Sequence, residues 1–158
     1  MTSNIFVETK YLVDTTPAAT LRKEWMNTIF FKKFCFFPEE IVYELRDNLA
    51  LDQRMLVGQK IGITVDILDQ LRNVMLNAEK IVDLYNNEGN GDVLLIATAL
   101  SEQHKELGSM LRTQWIIVTE DKGVVKLANT FSIKTIDKRQ FYILLEGQTK
   151  KEASTGGD

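Results

Sequence analysis

The chain has 158 residues, of which 44% are hydrophobic and 26% are charged, as in an ordinary globular domain. One cysteine excludes an internal disulfide, no apolar run reaches the roughly 18 residues of a membrane span, and the first ten residues show no signal-peptide pattern. The net charge of −3 excludes a strongly basic nucleic-acid binder. We therefore expect one domain in a reducing cytoplasm, with no membrane contact.

The chain is predicted to open with a strand followed by a helix. Residues 11–13 form a short apolar run that ends at Asp14. Thr16 precedes Pro17, which favours an N-cap with proline in the first helical turn. Apolar residues then recur at helical spacing through 21–29, so we predict a helix after Pro17.

The same order then repeats. Residues 34–37 form a second apolar run, and Pro38 follows it closely. Glu39 and Glu40 suit the first turn of a helix, where negative charge meets the helix dipole. The stretch 52–87 is mostly helical in pattern, but its glycines leave the structure of its first part, 52–64, open.

In the second half, Asp92 opens an apolar run whose alanines favour a helix over a buried strand. The remaining pattern predicts a strand at 115–118, a helix at 122–129, a strand at 131–136 and a helix at 138–145. Residues 148–158 are almost without apolar side chains, so we expect a disordered tail after a domain spanning 1–147.

Alternating strands and helices predict an α/β fold with three layers, α/β/α, around a small and mostly parallel sheet. In such sheets, sites form beyond the carboxyl ends of the strands. Asp14 and Asp121 each follow a predicted strand, and Glu44 and Asp92 lie early in helices that begin near the same edge. We therefore expect these carboxylates to converge.

Each acidic residue also has an ordinary structural interpretation. Asp14, Asp92 and Asp121 could cap helices, and Glu44 could be a solvated helical position. Clustered carboxylates repel one another, and a hard cation such as Mg²⁺ or Mn²⁺ removes that repulsion. A cation held this way activates water for attack on a phosphodiester. The only histidine, His104, makes a histidine-based site a poor explanation.

Four segments, taken in order, resemble the PIN-domain nucleases. They are a strand ending in Asp-Thr, a proline-started helix with Glu-Leu, an Asp-started helix and a strand ending in Thr-x-Asp. They read YLVDT at 11–15, PEEIVYEL at 38–45, DVLLIATAL at 92–100 and IVTEDK at 117–122. Two features depart from the family pattern: Thr16 stands where Asn or Ser is frequent, and the segment between Asp92 and Asp121 is longer than usual.

The resemblance implies a metal-dependent endoribonuclease that hydrolyses RNA. Asp14, Glu44, Asp92 and Asp121 are its implied catalytic residues and Mg²⁺ or Mn²⁺ ligands. It also implies that the chain is a VapC-type toxin with a protein antitoxin as partner, or else a stand-alone nuclease. A non-catalytic PIN-like interaction domain is the alternative function. A haloacid-dehalogenase-like phosphatase would need an Asp where Thr16 stands.

Two threonines and an aromatic segment complete the predictions. Thr15 and Thr119 are candidates for supporting the carboxylates, although Thr119 could equally finish a strand. The apolar and aromatic excess in the first two predicted helices and the strand between them suggests a homodimer, although most of the aromatic side chains of residues 30–37 suit a core.

Overall fold

The computed structural model describes residues 6–48, 51, 53–77, 91–106 and 112–156; for 6, 7, 55, 77, 91, 92 and 156 it describes the backbone only. Its strands are β1 (Phe6–Val13), β2 (Cys35–Pro38), β3 (Lys60–Ile61), β4 (Arg112–Val118) and β5 (Lys134–Ile136). They form one sheet in the order β3-β2-β1-β4-β5, and every neighbouring pair is parallel.

The helices of the described part cover both faces of this sheet. They are α1 (Thr15–Ala19), α2 (Lys23–Met26), α3 (Ile29–Phe34), α4 (Glu39–Glu44), α5 (Gln53–Gly58), α6 (Val65–Asn77), α7 (Gly91–His104), α8 (Lys122–Thr130) and α9 (Lys138–Gly156). One group consists of α2, α3 and α9, which contact one another, and a second consists of α6, α7 and α8. The predicted three-layer α/β/α fold is therefore confirmed.

The central strands are buried on both faces, as a covered parallel sheet requires. Leu12 and Val13 are adjacent in β1 and point to opposite faces, yet neither is exposed. In β4, Ile117 and Val118 are buried in the same way. Val13 lies opposite Val118, so β1 and β4 end side by side. The apolar carboxyl-terminal ends of these two strands thus fix the edge at which polar residues begin.

The predicted single helix after Pro17 is instead three short helices. Thr28 separates the last two, because its hydroxyl donates to Trp25 O at 2.7 Å and accepts from Phe31 N at 3.1 Å. Thr28 is therefore the N-cap of α3, a role that favours a break over continuation. The N-cap of the first helix is Asp14 and not Thr16.

Two strands also differ from prediction. The structure adds β3, which has only two residues and follows a glycine-containing helix, so its sequence carries no alternation to detect. The last strand is shorter than predicted, because Phe131 is the C-cap of α8 and Ser132 adopts a positive φ of 59°. The five strands of the sheet thus include the four that were predicted.

Aromatic side chains of residues 30–37 pack mostly inside the protein. Phe31 and Phe37 are fully buried, and their rings lie 5.9 Å apart. Phe36 is partly buried and packs 5.5 Å from the ring of Trp115. The aromatic excess that suggested a homodimer is thus largely core, and the homodimer itself stays a prediction. Within the described residues, no helix is long and apolar enough to cross a membrane.

The C-terminal helix α9 lies along the first helices of the chain and is tied to them by hydrogen bonds. The Tyr142 hydroxyl donates to Pro17 O at 2.7 Å. Trp25 Nε1 donates to Glu146 Oε2, also at 2.7 Å. Tyr142 packs on Trp25, with 4.7 Å between ring centroids. Contacts with residues far away in the sequence therefore hold α9 in place.

The predicted disordered tail is wrong over 148–156, where α9 continues. Glu152 explains part of the difference, because its carboxylate accepts the backbone N–H of Ile29 at 2.7 Å and that of Phe30 at 3.0 Å. These N–H groups belong to the first turn of α3 and have no partner within that helix. A tertiary contact therefore orders a segment whose composition alone indicates disorder.

Glu152→Ala is expected to lower the free energy of unfolding by about 1–2 kcal/mol, because two N–H groups lose a charged acceptor. Urea unfolding followed by circular dichroism measures the change. Lys151→Ala is the matched control, since Lys151 is exposed on the same helix. Equal stability of the two variants would show that the carboxylate contributes nothing to the docking of α9.

Candidate functional site

The sheet order creates a switch point between β1 and β4. From β1 the chain proceeds outward to β2 and β3, then returns to place β4 on the other side of β1. Connections leaving β1 and β4 therefore diverge and open a crevice at their carboxyl ends. Ligands bind at this position in open α/β sheets.

Asp14 lies at this crevice, immediately after β1. Its backbone N–H donates to Val118 O at 3.0 Å, which continues the pairing of β1 with β4. Its side chain accepts two hydrogen bonds. Oδ1 accepts from Thr15 N at 2.7 Å, and Oδ2 accepts from the Thr119 hydroxyl at 2.7 Å. Asp14 is thus both the N-cap of α1 and a partner of Thr119.

Thr119 connects two of the predicted carboxylates. Only 2% of the residue is exposed, and its backbone N–H donates to Ile136 O at 3.1 Å. The hydroxyl donates to Asp14 Oδ2 and accepts from the backbone N–H of Asp121 at 3.1 Å. One buried hydroxyl therefore fixes the orientation of Asp14 and the turn that carries Asp121.

Asp121 is the N-cap of α8. Its Oδ1 accepts from Gly123 N at 2.7 Å and from Val124 N at 3.3 Å. These bonds fix the carboxylate, and among the described residues Oδ2 has no hydrogen-bond donor. The capping role and a ligand role are compatible, because they use different oxygens.

Glu44 joins the cluster through a second threonine. It is an exposed residue at the end of α4, and its Oε2 accepts from the Thr15 hydroxyl at 2.9 Å. Thr15 therefore holds Glu44 with its side chain while its backbone N–H holds Asp14. The two threonines link the three described carboxylates that the sequence predicted.

The negative charges of this cluster act on one another. The pKa of Asp14 is raised, first by burial and then by the charges of Asp121 and Glu44. Its hydrogen bonds from Thr119 and Thr15 oppose the rise. Within the described part, no Lys or Arg forms an ion pair with any of these carboxylates. Among the described residues, no ion pair therefore neutralises the negative charge of these carboxylates.

The structure adds Glu40, which sequence reasoning assigned only to the helix dipole. One turn before Glu44 on α4, it raises the local negative charge further. Its Oε1 is buried without a hydrogen-bond partner. Burial, followed by the charges of Glu44 and Asp14, raises its pKa from 4.5 to about 7. The four-residue spacing of two glutamates was the available signal.

Glu40 makes the stability of the metal-free protein pH-dependent. Because the folded-state pKa is raised, the protein is most stable below pH 4.5 with respect to this group and loses that stability as pH rises through about 7. Because Glu40 is only partly buried, solvent screening makes the effect on stability smaller than the pKa change alone implies. Glu40→Gln is therefore expected to raise the free energy of unfolding of the metal-free protein by about 1–2 kcal/mol at pH 8 and to change it little at pH 4.

Urea unfolding in EDTA at the two pH values measures this effect. Glu39→Gln is the matched control, because the Glu39 carboxylate lies 3.8 Å from the Lys60 ammonium and is partly exposed. A stability difference between Glu40→Gln and wild type that is the same at both pH values would contradict a raised pKa at Glu40.

The fourth predicted carboxylate is only partly placed. Asp92 is the second residue of α7, and α7 contacts β4 and α8. The expected helix there is confirmed, but the Asp92 side chain lies outside the described residues. The structure thus brings together Asp14, Glu44 and Asp121 and leaves the position of the Asp92 carboxylate as a prediction.

The described groups suit a hard cation chemically. They are carboxylate and hydroxyl oxygens, which Mg²⁺ and Mn²⁺ prefer, and Glu40 adds a buried oxygen without a partner. Among side chains that the structure describes, no three acidic, His or Cys residues are already arranged to hold a metal ion. Metal binding at this crevice therefore requires side-chain rearrangement or the Asp92 carboxylate.

Comparison of the sequence with protein-family models and with curated proteins gives no match in either case. The functional interpretation therefore depends on the geometry of the crevice and on the sequence resemblance described above.

Proposed function

We propose that the protein is a Mg²⁺- or Mn²⁺-dependent endoribonuclease with a PIN-like site at the β1–β4 crevice. The observation that carries the proposal is the convergence of Asp14, Glu44 and Asp121 at the switch point, where none of them forms an ion pair with a Lys or Arg of the described residues. A cluster of this kind is unfavourable alone and favourable around a divalent cation.

The residues of the crevice have distinct roles in this proposal. Asp14 is the central ligand, because it directly follows β1, its N–H bonds to the end of β4, and the negative charges of both other carboxylates act on it. Asp121 contributes through Oδ2, Glu44 lies at the solvent side, and Asp92 is the fourth ligand. A bound divalent cation supplies water activation and charge stabilisation on the scissile phosphate.

Thr119 and Thr15 are positioning residues. The hydroxyl of each donates a hydrogen bond to a carboxylate, Thr15 to Glu44 and Thr119 to Asp14. These bonds hold the carboxylates in fewer conformations, so less ordering is needed when a cation binds. Glu40 can hold a proton near neutral pH, which reduces repulsion before binding. Loss of that proton would accompany cation binding.

The proposal also covers partners and location. RNA as substrate, a protein antitoxin and a homodimer follow from the resemblance, and a reducing cytoplasm is the proposed compartment. A small neighbouring gene that encodes a DNA-binding protein would support the toxin of a toxin–antitoxin pair. Its absence would favour a stand-alone nuclease.

The test is cleavage of single-stranded and hairpin RNA by the purified chain with Mg²⁺, Mn²⁺ or EDTA. We expect cleavage with the divalent ions and none in EDTA. Asp121→Asn, purified in parallel, detects contaminating nuclease, because it keeps the helix cap and loses a charge. Any co-purifying protein is removed first, since an antitoxin would block the site.

Other outcomes separate the alternatives. Equal cleavage in EDTA would contradict the metal-dependent mechanism. Cleavage of single-stranded DNA but not RNA would keep the metal site and overturn the proposed substrate. No cleavage with any divalent ion, together with intact folding, would favour the non-catalytic interaction domain.

A further inference from the structure

Tyr43 is exposed on α4, directly before Glu44 of the crevice. It is 65% exposed, whereas every other Phe, Tyr or Trp side chain that the structure describes is buried or half-buried. Solvent-facing helix positions usually carry polar side chains, and aromatic rings are enriched where proteins contact their ligands. A ring in solvent beside a proposed cation ligand is therefore a candidate contact for the substrate.

Arg46 lies over the Tyr43 ring. Its guanidinium carbon is 3.8 Å from the ring centroid, within the range of a cation–π contact. The backbone N–H of Arg46 donates to Tyr43 O at 3.3 Å, so the turn that ends α4 brings the two side chains together. The Arg46 side chain is 51% exposed, and its ion pair with Asp47, at 3.9 Å, is also open to solvent. Ring and guanidinium thus both remain accessible.

Unpaired nucleobases bind proteins through side chains of these two kinds. Every base has a π face, and such faces stack on tyrosine rings and on arginine guanidinium planes. The positive charge of Arg46 also attracts the phosphate backbone. Bases of a duplex are already stacked on one another, so they do not reach such side chains. The Tyr43–Arg46 pair therefore suits a single strand.

The Tyr43–Arg46 pair also lies next to the proposed site of cleavage. Tyr43 and Glu44 are consecutive, so their α-carbons are about 3.8 Å apart and their side chains leave the helix about 100° apart. Glu44 is held at the crevice by the Thr15 hydroxyl, at 2.9 Å. A strand that enters the crevice past Glu44 therefore passes the pair with a neighbouring nucleotide.

We propose that Tyr43 and Arg46 hold an unpaired base of single-stranded RNA beside the crevice. The inference rests on the proposed nuclease function, because Glu44 marks where that strand meets the cation. It makes single-stranded RNA, and not duplex RNA, the substrate class. Because stacking tolerates every base, the contact fixes the position of the strand and selects weakly for its sequence.

Fluorescence anisotropy of a labelled single-stranded RNA, in EDTA at low ionic strength, measures this contact without cleavage. Wild type is expected to bind the single strand more tightly than a duplex of equal length. Tyr43→Ala is expected to weaken binding about 5–100-fold, and Tyr43→Phe, which keeps the ring, to stay within a few-fold of wild type. Arg46→Lys keeps the charge and loses the planar group, so it is expected to weaken binding several-fold.

Ile143→Ala is the matched control, because Ile143 on α9 is also 65% exposed, and it is expected to bind like wild type. Circular dichroism confirms the folding of each variant. Equal affinity of Tyr43→Ala and wild type would overturn the proposal, and so would equal affinity of wild type for single strand and duplex. Tighter binding of single-stranded DNA would overturn RNA as the occupant.

The same measurement separates this proposal from the proposed nuclease function. Binding in EDTA needs neither a cation nor a chemical step. Loss of affinity in Tyr43→Ala, together with a wild type that cleaves no RNA with Mg²⁺ or Mn²⁺, would reject the nuclease and keep the base contact. Cleavage by wild type with unchanged binding in Tyr43→Ala would keep the nuclease and reject the base contact.

Discussion

Asp14→Asn is expected to lower the rate of metal-dependent RNA cleavage at least about 100-fold, because removing a partner behind a ligand already costs 10–100-fold. The substitution keeps the size of the side chain and an oxygen that can accept from Thr15 N. It removes the negative charge that interacts with those of both Glu44 and Asp121. The measurement is the initial cleavage rate of a labelled RNA with Mn²⁺.

Glu24→Gln is the control for loss of one negative charge, because Glu24 is exposed on α2 and outside the crevice. Its rate is expected to equal that of wild type. Metal-free Asp14→Asn is expected to be at least as stable as wild type, since burial and neighbouring charges raise the pKa of Asp14. A folded Asp14→Asn variant with the wild-type rate would exclude Asp14 from the reaction.

Thr119→Val is expected to lower the cleavage rate by about 10–100-fold, although the residue touches neither substrate nor cation in the proposal. The valine side chain has nearly the same shape, so the change removes the hydroxyl from a buried position. Asp14 Oδ2 then loses its donor, and the backbone N–H of Asp121 loses its acceptor. The free energy of unfolding is expected to fall by about 1–3 kcal/mol.

Thr119→Ser is the matched rescue, because it restores the hydroxyl and removes one methyl group. Its rate is expected to return to within a few-fold of wild type. Loss of the Thr119 donor also raises the pKa of Asp14, so the pH at which Thr119→Val reaches half of its maximal rate is expected to increase. Unchanged pH profiles in both variants would show a structural role only.

The sheet and its polar edge could be predicted because the relevant signals are local. Residues 11–13 and 115–118 are apolar runs closed by polar residues, which is typical of strands covered on both faces. Parallel strands place their carboxyl ends at one edge, so Asp14 and Asp121 were expected to lie near each other. The negative charge of Asp121 raises the pKa of Asp14, which agrees with that expectation.

What the sequence did not predict depends on contacts between distant residues. Thr119 was predicted as a possible support for the carboxylates, but the second hydrogen bond of its hydroxyl, which accepts from the backbone N–H of Asp121, depends on the turn after β4. The buried, partnerless oxygen of Glu40 depends on how α4 packs, whereas its sequence position suits an ordinary first turn. The helix beyond residue 147 depends on Glu152 reaching the N-terminus of α3. None of these contacts has a periodic pattern.

The central claim is that the β1–β4 crevice binds a divalent cation through carboxylates of this chain. The most direct measurement is the melting temperature of metal-free protein titrated with Mn²⁺, for wild type, Asp14→Asn and Asp92→Asn. Binding at 100 times Kd stabilises wild type by about 2.7 kcal/mol, or roughly 5–10 °C. Both variants are expected to gain much less. The claim is contradicted if wild type shows no Mn²⁺-dependent shift, or if Asp14→Asn shifts as much as wild type.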